Sequence, residues 1–172
     1  IEMKFVQNMS TMFSGCSNIS NIDFSSINTN NVTDMSGMFQ NCHNLKSLDL
    51  NKFETSKVLD MRNMFTDCNE LETLQIDNFD TSKVTNMYGM FYGCESLRSL
   101  NVTNFDTRNV TDMAFMFEFC RTLTSLNLNN FNTSKVEHMY HMFYFCEALE
   151  LLQIDNFDTS KVTNMMSMFA GI

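Results

Sequence analysis

The sequence predicts an α/β solenoid, a stack of 26-residue units in which each unit contributes one short parallel strand and one short helix. Three observations lead to this fold class. All six cysteines lie at one phase of a 26-residue period, pairs of methionines recur at the same period with phenylalanine after the second methionine, and a leucine pattern follows each cysteine. Self-similarity at a fixed period is the sequence signature of a repeat architecture.

The cysteine positions divide the chain into six full units and a partial seventh. Residues 74–87, "LQIDNFDTSKVTNM", recur unchanged at 152–165. Because the chain opens with Ile1 where later units have Phe, and stops at Ile172 partway through a unit, we expect a single repeat domain, 1–172, cut from a longer array.

Two patterns within each unit predict its elements. The alternation L-x-x-L-x-[LIV], as in Leu45, Leu48 and Leu50, is typical of a short strand with one buried face. The pattern M-x-x-M-F-x-x-C spaces apolar residues as on one face of a two-turn helix. Asn or Asp precedes the first Met of most units, where it would cap that helix, and His138 is the exception. Such units must stack, with parallel strands about 4.8 Å apart, to bury their apolar faces.

The full unit reads F-D-T-S-x-V-T-x-M-x-x-M-F-x-x-C-x-x-L-x-x-L-x-L, and residues 79–102 fit it with Val at the last position. This unit is similar to the repeats of BspA-like bacterial surface proteins, a divergent class of leucine-rich repeats found in mycoplasmas, lactobacilli and Listeria. The resemblance covers the whole chain and implies a cell-surface or secreted array, lipid-anchored or wall-anchored outside the repeats, with roles in adhesion or immune recognition. It implies no catalytic residue. We therefore predict a right-handed, leucine-rich-repeat-like stack.

Charge and composition disfavour several classes of function. The chain has 20 acidic and 11 basic residues, a net charge of −9, and a nucleic-acid-binding protein needs an excess of basic residues on one face. No apolar run approaches the roughly 20 residues of a membrane-spanning helix, so we expect no membrane insertion by this segment. No catalytic triad, phosphate-binding loop or paired-carboxylate motif stands out. We expect no enzymatic activity and no cofactor.

The cysteines invite a metal or disulfide hypothesis, which stacking disfavours. Equivalent side chains in a solenoid lie about 5 Å apart and parallel, whereas a disulfide needs Cβ atoms near ~3.8 Å and a particular dihedral angle. Zinc sites commonly use C-x-x-C pairs, and the sequence has none. We predict no metal site and a structural core ladder of thiols. Its members are Cys16, Cys42, Cys68, Cys94, Cys120 and Cys146.

Aromatic residues accumulate at variable positions in the C-terminal half of the array. On the predicted helix they fall into i, i+4 pairs, which share one helix face. Tyr gives a large contact area with little entropy to lose, so these residues are candidate ligand-binding residues. The alternative is that the rings only cover the helices. The candidates are Tyr88, Tyr92, Phe115, Phe119, Tyr140, His141, Tyr144 and Phe145.

A second variable set lies between the strand leucines, on the outer face of the predicted sheet. It offers a polar platform for a glycan or a protein, or else a solvated amide ladder whose members satisfy one another. The platform residues are Asp49, Gln75, Asn101, Asn127 and Gln153.

The resulting hypothesis is a surface-displayed adhesion module that recognises host protein or glycan through its variable faces. The alternative is a structural spacer or self-associating stalk that adds turns end to end. An ice-binding rod is a more distant possibility, because Thr29, Thr55 and their equivalents form a single threonine column.

Overall fold

The computed structural model describes residues 5–172, which form a continuous stack of coils. Parallel backbone bridges join each coil to the next at the residue before the first methionine, beginning with Asn8 to Asp34 and ending with His138 to Asn164. The spacing of these bridges is the 26-residue period of the sequence, so the predicted solenoid-like repeat fold is confirmed. The predicted right-handed sense of the stack stays a prediction.

Four units contain a regular strand of three residues. β1 (Ser47–Asp49) pairs in parallel with β2 (Thr73–Gln75), and β3 (Ser125–Asn127) pairs in parallel with β4 (Leu151–Gln153). In β1 the central leucine is buried while its neighbours are exposed, as the alternation predicted. The two sheets are separate because the unit between them, which contains Leu100, has no strand.

The predicted helix is wrong, because no residue from 5 to 172 is helical. From the first methionine to the cysteine of each unit, alternate amides leave the coil altogether. Gly37 N–H donates to Arg62 O at 2.8 Å and Phe39 N–H donates to Met64 O at 2.9 Å, both in the next coil. An α-helix would spend these same amides on carbonyls four residues back in its own coil.

The remaining amides of this segment close tight turns. Met38 N–H donates to Met35 O at 3.2 Å, and Gly37, the third residue of that turn, has a φ of 58°. A positive φ at the third position only is the geometry of a type II turn. Met35, Met38, Phe39 and Cys42 are nevertheless all buried, because these turns place the same residues inward as a helix would. The periodicity thus predicted the buried face but not the element.

The predicted helix caps have a related role in these turns. Ser36 N–H donates to Asp34 Oδ1 at 2.9 Å, and Arg62 N–H donates to Asp60 Oδ1 at 3.0 Å. A side chain that accepts from the amide two residues on forms an Asx turn, not a helix cap. At the exceptional unit, His138 Nδ1 is buried and has no hydrogen-bond partner among the described residues.

The core is a column of stacked phenylalanine rings, one from each Met-Phe pair. Neighbouring rings are nearly parallel: Phe39 and Phe65 have centroids 5.8 Å apart with planes at 2°, and Phe117 and Phe143 have centroids 5.7 Å apart with planes at 2°. Such offset stacks contribute about 0.5–1.5 kcal/mol per pair beyond the burial of area. The column comprises Phe13, Phe39, Phe65, Phe91, Phe117, Phe143 and Phe169.

A second column consists of threonines that join each coil to the next. The Thr81 hydroxyl donates to Asp106 O at 3.0 Å and accepts from Asp106 N–H at 2.8 Å, so one side chain satisfies both backbone groups of one residue. The column is buried except at its last member, Thr159. An ice-binding face needs exposed hydroxyls, so the ice-binding hypothesis is wrong. The buried members are Thr29, Thr55, Thr81, Thr107 and Thr133.

We expect Thr81→Val to lower the free energy of unfolding by about 1–3 kcal/mol, because it leaves the half-buried N–H and C=O of Asp106 without their partner. Thr81→Ser keeps the hydroxyl and is the matched control. Urea unfolding followed by circular dichroism measures both variants. A Val variant as stable as the Ser variant would show that these hydrogen bonds do not stabilise the stack.

Candidate functional site

The predicted aromatic residues form one continuous surface, which we call the aromatic belt. Each member is half-buried, with part of its ring open to solvent. The belt therefore lies outside the phenylalanine column of the core. It comprises Tyr88, Tyr92, Phe115, Phe119, Tyr140, His141, Tyr144 and Phe145.

The belt is held together by contacts between coils and not by a helix face. Phe115 is its centre, with its ring centroid 5.2 Å from Tyr88 in the preceding coil and 4.9 Å from Tyr140 in the following coil. Phe119 likewise lies between Tyr92 at 5.6 Å and Tyr144 at 5.8 Å. The aromatic residues do lie together, but contacts between coils bring them together, and not i, i+4 pairing on a helix.

Four belt residues have a backbone conformation that disfavours large side chains. Phe115, Phe119, His141 and Phe145 have φ values of 59°, 59°, 58° and 54°. In other units the same two turn positions hold mostly Gly, Asn or Asp, such as Gly37, Asn41 and Asp67, although Thr11 and Ser167 also occur there with φ values of 55° and 52°. A non-glycine residue held in this region costs of order 1–3 kcal/mol, and such residues cluster at functional sites.

A carboxyl–imidazole contact joins the belt to the buried residue Glu118. Glu118 is 5% exposed, and its Oε2 lies 3.2 Å from His141 Nδ1. Burial raises the pKa of the Glu118 carboxyl, and the His141 ring partly opposes that rise. The His141 ring in turn stacks on Tyr144, with centroids 4.5 Å apart.

Arg121 contacts two rings of the aromatic belt. Its guanidinium carbon is 4.8 Å from the centroid of Phe119 and 5.6 Å from that of Phe145. It also pairs with Glu95 at 3.8 Å and with Glu147.

Glu118 and Arg121 were not among the predicted site residues, although each differs in charge from the equivalent residues of neighbouring units. Glu118 is the one acid in a column of Ser14, Gln40, Thr66 and the two tyrosines Tyr92 and Tyr144. Arg121 stands between Glu95 and Glu147, each 26 residues away in its own column.

The predicted sheet-face platform is less organised than the belt. Asp49 lies opposite Gln75 and Asn127 opposite Gln153, while Asn101 falls outside the strands. The side chains are exposed, except that Gln153 is half-buried.

The platform side chains are bonded mainly to their own turns, as when Asn51 N–H donates to Asp49 Oδ1 at 3.0 Å. The role of the platform as a binding surface stays a prediction. These bonds do not form an amide ladder that runs from coil to coil.

The cysteine column lies inside the stack. All six thiols are free, and five are buried while Cys16 is half-buried. Each buried thiol donates to the carbonyl of a phenylalanine in the preceding coil, for example Cys42 Sγ to Phe13 O at 3.1 Å and Cys94 Sγ to Phe65 O at 3.3 Å. Burial raises the pKa of Cys94 and Cys120 well above that of a free thiol, and raises the pKa of Cys146 to about 12.

Two negative findings apply to residues 5–172. Nowhere in this range do three or more His, Cys, Asp or Glu side chains converge as a metal site requires. Over the same residues no helix has the length and apolar character needed to cross a bilayer.

A family model described as "Mycoplasma protein of unknown function, DUF285" matches residues 1–74 and 67–172. No curated protein matches the chain significantly. A solved structure of a leucine rich cell surface protein from Faecalibacterium prausnitzii is similar, with a TM-score of 0.50 and 22% identity over 83% of this chain and 34% of that one. A leucine-rich repeat protein from Bacteroides ovatus gives a TM-score of 0.31 and 17% identity over 79% of this chain and 44% of that one. The chain thus spans about a third of the first structure and less than half of the second.

We expect the protein to lose stability at alkaline pH because of the buried thiols. A thiol ionises near pH ~8.5 in the unfolded chain but stays protonated in the fold, up to about pH 12 for Cys146. The buried thiols therefore do not lower the free energy of unfolding below pH ~8.5. Above that pH the thiols of the unfolded chain ionise, and the free energy of unfolding falls progressively. Urea unfolding between pH 8 and pH 11 measures the decline.

A thiol-specific reagent at pH 8 supplies the control for this prediction. Of the six cysteines, Cys16 should react readily in the folded protein and the rest only after unfolding. Rapid labelling of Cys94 or Cys120 in the native state would contradict the buried, protonated thiols.

Proposed function

The chain belongs to the family described as "Mycoplasma protein of unknown function, DUF285", and on that basis we propose that it is a non-enzymatic binding module of a bacterial cell-surface protein. The module recognises a host protein or glycan through the aromatic belt. The resemblance to BspA-like leucine-rich-repeat surface proteins is confirmed by the family match, and the similar structure from Faecalibacterium prausnitzii is itself described as a cell surface protein. Anchoring by lipid or to the cell wall, outside these repeats, is part of the proposal.

One observation carries the proposal: large aromatic side chains occupy strained turn positions outside the core. The stack does not need them, because other units fill the same positions with Gly37 or Asn41 and pack an equivalent Met-Phe core. A strain of order 1–3 kcal/mol per residue persists only where something offsets it. Binding through these rings is the function that accounts for their presence.

The chemistry of the belt suits recognition of a macromolecule. Tyr and Arg are the residues most enriched where interfaces bind tightly, and the belt combines four tyrosines with Arg121. Its rings are fixed by their neighbours, so little conformational entropy is lost when a partner binds.

We expect Tyr140→Ser with Tyr144→Ser to weaken binding at least about tenfold, since interface tyrosines commonly contribute more than about 1.4 kcal/mol each. The first and second units carry Ser10, Ser36 and Ser14 at these positions, so the change should leave the stack folded. The partner comes from a screen of matrix proteins, mucins and glycans, and its affinity is then measured by calorimetry.

The control is Leu59→Thr, which introduces the residue that most units have at that position and lies away from the belt. Leu59 is 48% exposed, and its backbone is held by Thr33 and Thr85 in neighbouring coils. Equal affinity of the double Ser variant and the Leu59 control would refute recognition through the belt. A screen without any partner would refute the binding module itself.

A second candidate function is a structural spacer that associates end to end. The contacts that join successive coils within one copy, such as the stacking of Phe117 on Phe143 with centroids 5.7 Å apart, could also join coils of two copies.

Sedimentation velocity and solution scattering over a range of concentrations test the spacer. End-to-end association lengthens the particle as concentration rises. A particle of constant length would rule out the self-associating stalk and leave the monomeric binding module.

A further inference from the structure

A cavity opens at one end of the aromatic belt. Its volume is about 380 Å³, within the range of small-molecule sites, and its walls include the rings of Tyr88, Tyr92 and Phe115. Asn63 and Thr66 line the opposite side, and Gly89 lies between the two. A Cβ at Gly89 would stand 2.5 Å from Asn63 Oδ1, so a larger residue there would require the Asn63 side chain to move.

The three rings meet as the walls of a cage. Tyr88 is set against Phe115 at an interplanar angle of 66° with centroids 5.2 Å apart, and Tyr92 is set against Phe115 at 72° with centroids 6.3 Å apart. In these edge-to-face contacts the rings pack against one another, and all three also line the cavity. Such a cage favours a cation, because each π-face carries negative electrostatic potential.

Carboxylates around the cage act in the same direction. Burial raises the pKa of the Tyr92 hydroxyl, and Glu118, Asp67 and Glu95 raise it further. The Tyr88 hydroxyl is likewise affected first by burial, with Asp112 and Glu118 among the smaller causes.

The basic side chains near the cage already have acidic partners. Arg62 Nε lies 3.2 Å from Asp60 Oδ2, and Arg121 Nε lies 3.8 Å from Glu95 Oε2. Glu95 and Glu118 also have partners, in Arg121 and His141, so the negative potential at the cage comes from Asp67 and Asp112.

The neighbouring part of the belt shows the same chemistry with an internal cation. There the Arg121 guanidinium lies over Phe119 and Phe145. One and two units earlier, the position of Arg121 is occupied by Glu95 and Asn69, so the cage receives no such cation from its own coils.

We propose that the cage of Tyr88, Tyr92 and Phe115 binds an alkylated ammonium group of the choline type. The trimethylammonium head is cationic, weakly hydrated and apolar at its surface, which suits aromatic walls within an acidic surround. The carboxylates disfavour an anionic carrier, so free choline binds more tightly than phosphocholine. This site goes beyond the binding function proposed above, because it is a small-molecule site separate from recognition of a macromolecule through Tyr140 and Tyr144.

The direct test is an NMR titration of the whole protein with choline and with 3,3-dimethylbutan-1-ol, its neutral isostere. Choline should shift the ring signals of the three cage residues with a dissociation constant on the order of 1 mM, and the isostere should bind at least about tenfold more weakly. Equal binding of the two would show a merely apolar cavity and overturn the proposal. A dissociation constant for choline above about 50 mM would overturn it as well.

Variants locate the site. Tyr88→Ala should weaken choline binding about tenfold, and Asp67→Asn, which keeps a residue suited to the φ of 57°, should weaken it about twofold to fivefold. Tyr144→Leu is the matched control, because its ring contacts Phe119, His141 and Phe145 and not the cage. Loss of choline binding in the control but not in Tyr88→Ala would place the cation elsewhere and refute the cage.

The two proposals fail in different ways. If the protein binds a macromolecule through the belt but does not bind choline, the proposed function stands and the cage is refuted. If it binds choline at Tyr88 but no macromolecule, the cage stands and recognition through Tyr140 and Tyr144 is refuted.

Discussion

The whole structure depends on backbone amides that donate to the next coil and not to their own. In the segment from methionine to cysteine, alternate N–H groups, such as those of Gly37 and Phe39, cross to carbonyls of the following coil. The amides between them close turns within the coil. Every polar backbone group in this buried segment must have a partner, and this division of the amides satisfies them without helix or regular strand.

The side-chain columns follow from that backbone arrangement. Once coils are joined in one register, identical residues stand above one another, so rings stack on rings and each thiol faces the same carbonyl. The threonine hydroxyl adds a further link between coils, because it bonds both the N–H and the C=O of a residue such as Asp106. The sulfur and aromatic groups of these inner columns serve as packing material.

The repeat, the buried residues and the free thiols could all be predicted, because they depend only on period and on side-chain chemistry. The helix could not be predicted correctly, since an i, i+3, i+4, i+7 spacing fits consecutive turns equally well. Gly37 and Gly89 in the middle of the supposed helix favoured turns, and the sequence analysis passed over them. The aromatic residues were found because they depart from the template, but their contacts across coils depend on a backbone path that no single unit specifies.

The pairing of coils also sets a rule for how such a chain can change in length. Residues 74–87 and 152–165 are identical, and the interval between them is a whole number of units. Removing or duplicating that interval gives each donor an acceptor of the same kind, whereas an insertion that is not a whole number of 26-residue units misaligns everything stacked above it. Recombination between such identical stretches therefore lengthens or shortens the array without unfolding it, and in the same step changes how many aromatic coils the array contains.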